Sequence, residues 1–77
     1  MQFEHISSNP AILGGKPCIK GTRISVDFIL QLVASGATIN DIVSRYDHLD
    51  IDGVKESILY ASEVLKNEVI LELKSVA

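Results

Sequence analysis

The stretch 36-GATINDIVSRYDHLD-50 decides how this chain folds. Gly36 is suited to end a preceding helix, because glycine readily takes the left-handed backbone that closes a last turn. Thr38, followed three residues later by Asp41, has the form of a capping box, with Asp in place of the usual Glu. Ile39, Ile42, Val43 and Tyr46 then recur at helical spacing. The pattern predicts a helix over 39–46, about two turns long. So short a helix needs tertiary packing to persist. After 47-DHL-49 comes Asp50, a second capping residue. Two helices joined by so short a turn carry the helix-turn-helix signature.

The flanking sequence supplies the other helices. Ser25 caps a first helix over 26–35, with Asp27 in its positively polarised first turn and Val26, Ile29, Leu30 and Val33 as its apolar face. Asp50 and Asp52 open a third helix over 51–66. Its inward positions are Ile51, Val54, Ile58, Ala61 and Leu65, and Asn67 stops it. Gly53 weakens its start by ~1 kcal/mol relative to Ala. In helix-turn-helix terms, 39–46 is the positioning helix and 51–66 the recognition helix.

Both ends of the chain read differently. Asn9-Pro10, Gly14-Gly15, Pro17 and Gly21 are turn formers, with short apolar pairs between them. They predict a β-hairpin of 11–13 against 17–19, turned by Gly14-Gly15, and a further turn at 20–22. In the tail 69-VILELK-74, Val69, Leu71 and Leu73 alternate with Ile70, Glu72 and Lys74, which is a strand pattern. Leu65, Val69 and Leu73 also continue a helical stripe. Strand is the preferred reading, because Asn67 interrupts and aliphatics adjoin. An isolated strand leaves an unpaired edge, which makes Val69, Ile70, Leu71 and Leu73 candidate partner-binding residues. The expected fold class is mainly α: one domain over 1–77, with an N-terminal β-hairpin, a three-helix helix-turn-helix core and a short C-terminal strand or helix extension.

Composition narrows the functional classes. A chain of 77 residues makes one domain. At this length only ~60% of the unfolded surface is buried. Hydrophobic residues make up 47% of the chain and tryptophan is missing, which favours a small aliphatic core with apolar surface left for a second copy or a partner. The net charge of −3 argues against a general nucleic-acid coat, but it is unevenly spread. Residues 1–45 sum to +1 and residues 46–77 to −4. Any anion-binding face therefore belongs to the first half, and Lys16, Lys20, Arg23 and Arg45, joined by Lys55, are the candidate DNA contacts. The single cysteine excludes an internal disulfide. No apolar run approaches ~18 residues, so a soluble, cytoplasmic protein is expected.

The run 14-GGKPCIKGTR-23 concentrates the unusual chemistry, with three of the five glycines, the only cysteine and three of the seven basic residues. It lacks the spacing and the strand-to-helix context of a phosphate-binding Walker loop. Cys18 has no evident base and reads as a small buried hydrophobe. His5 and His48, with Asp47, Asp50 and Asp52, lack metal-ligand spacing and read as caps and a solvated turn. Tyr46 and Tyr60 are expected to pack their rings between helices. Arg23 is open between a half-buried fork, tied to a helix C-terminus or to Asp27, and a contact to DNA or a partner. No nucleophile with a base and an orienting group is visible, so no enzyme, cofactor or metal is expected.

The runs 9-NPAILGGKPCIKGTRISV-26, 36-GATINDIVSRYDHLD-50 and 58-ILYA-61 resemble a family of small prokaryotic proteins known as domain of unknown function four-three-three. The family pattern is Asp-Pro-x-Ile-x-Gly-Gly-Lys-Pro-x-Ile-x-Gly-Thr-Arg-Ile, then Gly-x-x-x-x-x-Ile, Tyr-Pro-x-Leu-Thr and Ala-Leu-x-Tyr-Ala. The resemblance covers about residues 4–74. It implies a homeodomain-like helix-turn-helix and an antitoxin-like role beside a PIN-like toxin, a metal-dependent ribonuclease. It also implies a homodimer that binds its own operator DNA; a stand-alone DNA-binding regulator is the alternative. Asn9 stands where the family has Asp, and makes the same side-chain-to-backbone turn. Asp47 replaces a Pro and loosens the inter-helix turn. Asp50, Asp52 and Glu56 make the recognition helix acidic at its start, which leaves Lys55 alone there to approach a phosphate.

Overall fold

The computed structural model describes residues 3–66. Two short strands, β1 (Ile6–Ser7) and β2 (Cys18–Ile19), precede three helices, α1 (Val26–Ala34), α2 (Ile39–Arg45) and α3 (Ile51–Lys66). The strands pair antiparallel, Ile6 opposite Ile19 and Ser7 opposite Cys18. The result is the mainly α architecture read from the sequence, a two-stranded hairpin on a three-helix helix-turn-helix core. The tail 69–74, with its strand-or-helix alternatives, and the candidate partner residues Val69, Ile70, Leu71 and Leu73 lie outside the described residues.

The capping chemistry places the helices. Ser25 Oγ accepts from the Phe28 amide at 3.0 Å. Thr38 and Asp41 form the full capping box: Thr38 Oγ1 accepts from the Asp41 amide at 3.1 Å, and the Thr38 amide donates to Asp41 Oδ2 at 2.8 Å. Those hydrogen bonds from Thr38 hold the Asp41 carboxyl below its usual range. Gly36, at φ +105°, leads the chain out of α1. Asp50 Oδ1 accepts from the Gly53 amide at 2.7 Å and starts α3.

The hairpin differs from the expected one in its first strand. The segment 11–13 does not pair with 17–19; Ile6–Ser7 does. Leu13, Gly14 and Gly15 all have left-handed backbones, at φ +50°, +65° and +87°. Three such residues in a row wind a 3-10 turn over Leu13–Gly15 instead of returning the chain as a two-residue hairpin turn. Pro17 has no amide to offer a ladder. Asn9 does make its side-chain turn, accepting from the Ala11 amide at 2.9 Å. The predicted turn after β2 is present, with Gly21 at φ +79°.

The core is aliphatic and small. Ile19, Ile29, Ile42, Leu49 and Val54 form its buried centre, with Ile6, Ile24, Leu32, Val43 and Tyr46 around it. One residue from each of β2, α1, α2, the α2–α3 turn and α3 meets there, so no element is stable alone. Cys18 is buried, as expected of a small hydrophobe. Tyr46 packs edge-on against Phe28 of α1, with ring centroids 5.9 Å apart. Tyr60 packs instead against Phe3, at 5.2 Å, outside the helix–helix seam.

Candidate functional site

The site is organised around α3, and the N-terminal strand decides how α3 is held. The His5 amide donates to Glu56 Oε2 at 2.8 Å, and the His5 ring Nδ1 bonds the same oxygen. The His5 carbonyl accepts from the Lys20 amide at 2.7 Å. His5 thus ties α3 and the end of β2 to one residue. Gly53 lies where the strands meet α3: a Cβ there would stand 3.6 Å from Ile19 Cγ2 and 3.9 Å from His5 Cδ2, in ordinary van der Waals contact. One turn later, fully buried Ser57 returns its hydroxyl to the Gly53 carbonyl at 3.0 Å.

Electrostatics reinforce the clasp. The hydrogen bond to Glu56 raises the His5 pKa above its ordinary 6.5, outweighing desolvation. Partial burial pushes Glu56 up, but the bonds from the His5 ring and from the His5 and Glu4 backbones together leave it lowered. The pair is therefore charged over a wider pH range than either group alone. It was not legible in the sequence, because its partners stand 51 residues apart. A glycine near the start of a helix was the one signal of close approach.

The outward face of α3 mixes acidic and apolar groups. A shallow groove between the N-terminal segment and α3 is lined by Glu4, His5, Asp52, Lys55, Glu56 and Leu59. Ile51 and Leu65, expected to face inward, are 43% and 70% exposed. The buried positions of α3 are Gly53, Val54 and Ser57 alone, so its apolar stripe overruns the core at both ends. Leu59 and Val64 are exposed as well.

The five candidate DNA contacts are all exposed but differently placed. Lys16 Nζ stands 3.7 Å from Asp27 Oδ2. Lys55 stands in the groove among Glu4, Asp52 and Glu56. The Arg45 guanidinium lies 6.0 Å from the Tyr46 ring centroid. Lys20 and Arg23 flank the turn at Gly21 and form no ion pair among the described residues. Arg23 is thus not the half-buried fork that one reading allowed, and Asp27 is engaged by Lys16 instead. Among the described residues no group of His, Cys, Asp and Glu is arranged to hold a metal. No helix there is long and apolar enough to cross a membrane.

Comparison with known proteins places the chain. The sequence model of the family described as "Protein of unknown function (DUF433)" matches residues 6–61. The chain belongs to the DUF433 family. The matched span runs from β1 into α3; it includes Glu56 of the clasp and begins one residue after His5. The chain is also similar to "Uncharacterized protein y4eO" of Sinorhizobium fredii (strain NBRC 101917 / NGR234), at 33% identity over 58 residues. That alignment takes in 75% of this chain and 26% of the relative, so this DUF433 chain spans about a quarter of the relative's length. No solved structure matches it.

Proposed function

We propose that the protein is the non-catalytic, antitoxin-like member of a prokaryotic toxin–antitoxin pair, binding and neutralising a PIN-like ribonuclease. The observation that carries this reading is the apolar overrun of α3, ending on Leu65 at 70% exposure. A helix that leaves its apolar stripe uncovered is suited to lie against a second protein. The sequence beyond it, with Val69, Ile70, Leu71 and Leu73, adds further apolar groups. The acidic residues along α3 disfavour the phosphate backbone as its ligand. Dimerisation through the same face is part of the proposal.

Co-expression with a PIN-like ribonuclease encoded by the neighbouring gene is the test, and the lack of such a gene would count against the reading. The two proteins should co-purify and the nuclease should be silent. Leu65→Asp should weaken the complex by about tenfold or more. Failure of the wild-type proteins to associate would sink the reading.

A second reading, a stand-alone DNA-binding regulator or an autoregulator of its own operator, is favoured by the helix-turn-helix itself and by the exposed Lys20, Arg23 and Arg45. Binding to upstream DNA should then fall steeply with salt, because neutralised phosphates release counterions. No mobility shift at low salt would exclude it.

A further inference from the structure

We propose that 20-KGTR-23 is a docking tip for carboxylates on an acidic protein segment, with Arg23 as its anchor and Lys20 as its second cation. This surface is separate from α3 and does not rest on the antitoxin reading.

The tip is rigid. Ile19 and Ile24 close it from below, with the Ile19 amide donating to the Ile24 carbonyl at 2.9 Å. Cys18 and Ser25 continue the pairing beneath them. The Thr22 amide donates to the Ile19 carbonyl at 3.0 Å, and Gly21 supplies the positive φ that such a turn needs. The Thr22 hydroxyl spans the inside: it donates to the Ile19 carbonyl at 2.8 Å and accepts from the Ile24 amide at 3.0 Å. The Lys20 amide is fixed to His5. The backbone at Lys20 and on either side of Arg23 is therefore hydrogen-bonded before any ligand arrives.

The cations themselves are uncommitted. Both side chains are exposed, and neither forms an ion pair among the described residues. By contrast Lys16, a few residues away, is engaged by Asp27. A guanidinium presents parallel N–H donors that match the two oxygens of a carboxylate, and a fixed mount lowers the ordering cost of binding.

The number of cations decides between a carboxylate and nucleic acid. A duplex presents a continuous run of phosphates, and proteins that grip it neutralise about six to ten of them. Two cations at one tip do not offer that footprint. They do fit a discrete pair of carboxylates.

The test is a nuclear magnetic resonance titration of the isotope-labelled chain with an oligo-aspartate peptide, beside a titration with duplex DNA. The amides of residues 20–24 and the Arg23 side-chain N–H should shift saturably with the peptide. Arg23→Ala should weaken binding by about tenfold. Arg23→Lys, which keeps the charge but loses the fork, should recover only part of it. Thr22→Val should weaken binding with both cations intact, because it loosens the mount. Arg23 forms no ion pair among the described residues, so its variants test the site without removing a contact seen there. No shift at about 10 mM peptide, a response unchanged in Arg23→Ala, or tighter binding of DNA at the same residues would each overturn the proposal.

Discussion

Gly53 is where the packing of α3 on the strands is most directly open to test. The backbone there is ordinary helix, so replacing glycine by alanine should gain up to ~1 kcal/mol of helix propensity. Three neighbours decide how much survives. The new Cβ would meet Ile19 Cγ2 at 3.6 Å and His5 Cδ2 at 3.9 Å, both ordinary van der Waals distances. It would stand only 3.1 Å from Asp50 Oδ1, which must retreat by a few tenths of an ångström. Asp50 can do so, because its side chain is exposed and its bond to the Gly53 amide, at 2.7 Å, lies at the short end of the normal range. Gly53→Ala should therefore stabilise by roughly 0.5–1 kcal/mol, raising Tm by about 2–8 °C in a domain of this size. Gly53→Leu has nowhere to put its further carbons except between α3, Ile19 and His5, and should cost about 1–3 kcal/mol through overpacking. Thermal melts followed by far-ultraviolet circular dichroism read both. On an Asp50→Ala background, itself weakened by about 1 kcal/mol, the alanine gain should reach its full value. A lower Tm for Gly53→Ala, or a wild-type Tm for Gly53→Leu, would refute the packing argument.

Other expectations follow from the same geometry. The His5 contribution to stability is full below its ordinary 6.5 and is lost as pH rises through its raised folded value. The Glu56 contribution is full above its ordinary 4.5 and is lost as pH falls through its lowered folded value. Coupling between them should thus peak between those two ordinary values, as a double-mutant cycle of His5→Ala and Glu56→Gln against pH will measure; equal coupling at alkaline pH would contradict it. Thr38→Ala removes one arm of the capping box and should cost about 0.5–2 kcal/mol, seen as a lower urea midpoint with an unchanged slope. Ile29→Ala empties a fully buried position and should cost about 2–5 kcal/mol, a large part of the roughly 4–12 kcal/mol a chain of this length commands. Calorimetry should find Ile29→Ala molten or much less stable at room temperature.

The helical part of the fold was readable because its signals are local. Ser25, Gly36, Thr38, Asp41 and Asp50 act on backbone groups within a few residues, and each does what its position implied. The N-terminal strand was not, because it is chosen by a distant surface. Ile6 and Ser7 form β1 only where β2 and α3 provide a place for them. Meanwhile Gly14-Gly15, a plausible hairpin turn by composition, is recruited with Leu13 into a 3-10 turn. Ile51 and Leu65 fit the inward periodicity of α3 yet stand exposed, because periodicity marks a helix face and not how far a core extends along it. At the candidate sites, Lys16, Lys20, Arg45 and Lys55 stand exposed as a surface role requires, and so does Arg23, which the sequence left open between a half-buried fork and a surface contact. Sequence did not distinguish Lys16, engaged by Asp27, from Arg23, which has no such partner among the described residues.

The bond between His5 and Glu56 also sets an order of events during synthesis. The first partner leaves the ribosome 51 residues before the second. At ordinary elongation rates that is a wait of about 3–10 s. In that interval β1 can find β2, but the side of the hairpin meant for α3 has nothing to cover it, and such an edge invites foreign strands. The segment around His5 is thus the last to be secured. A bulky group fused ahead of Phe3 would burden the step that completes the fold, whereas the same group on the far side of α3 would not delay it.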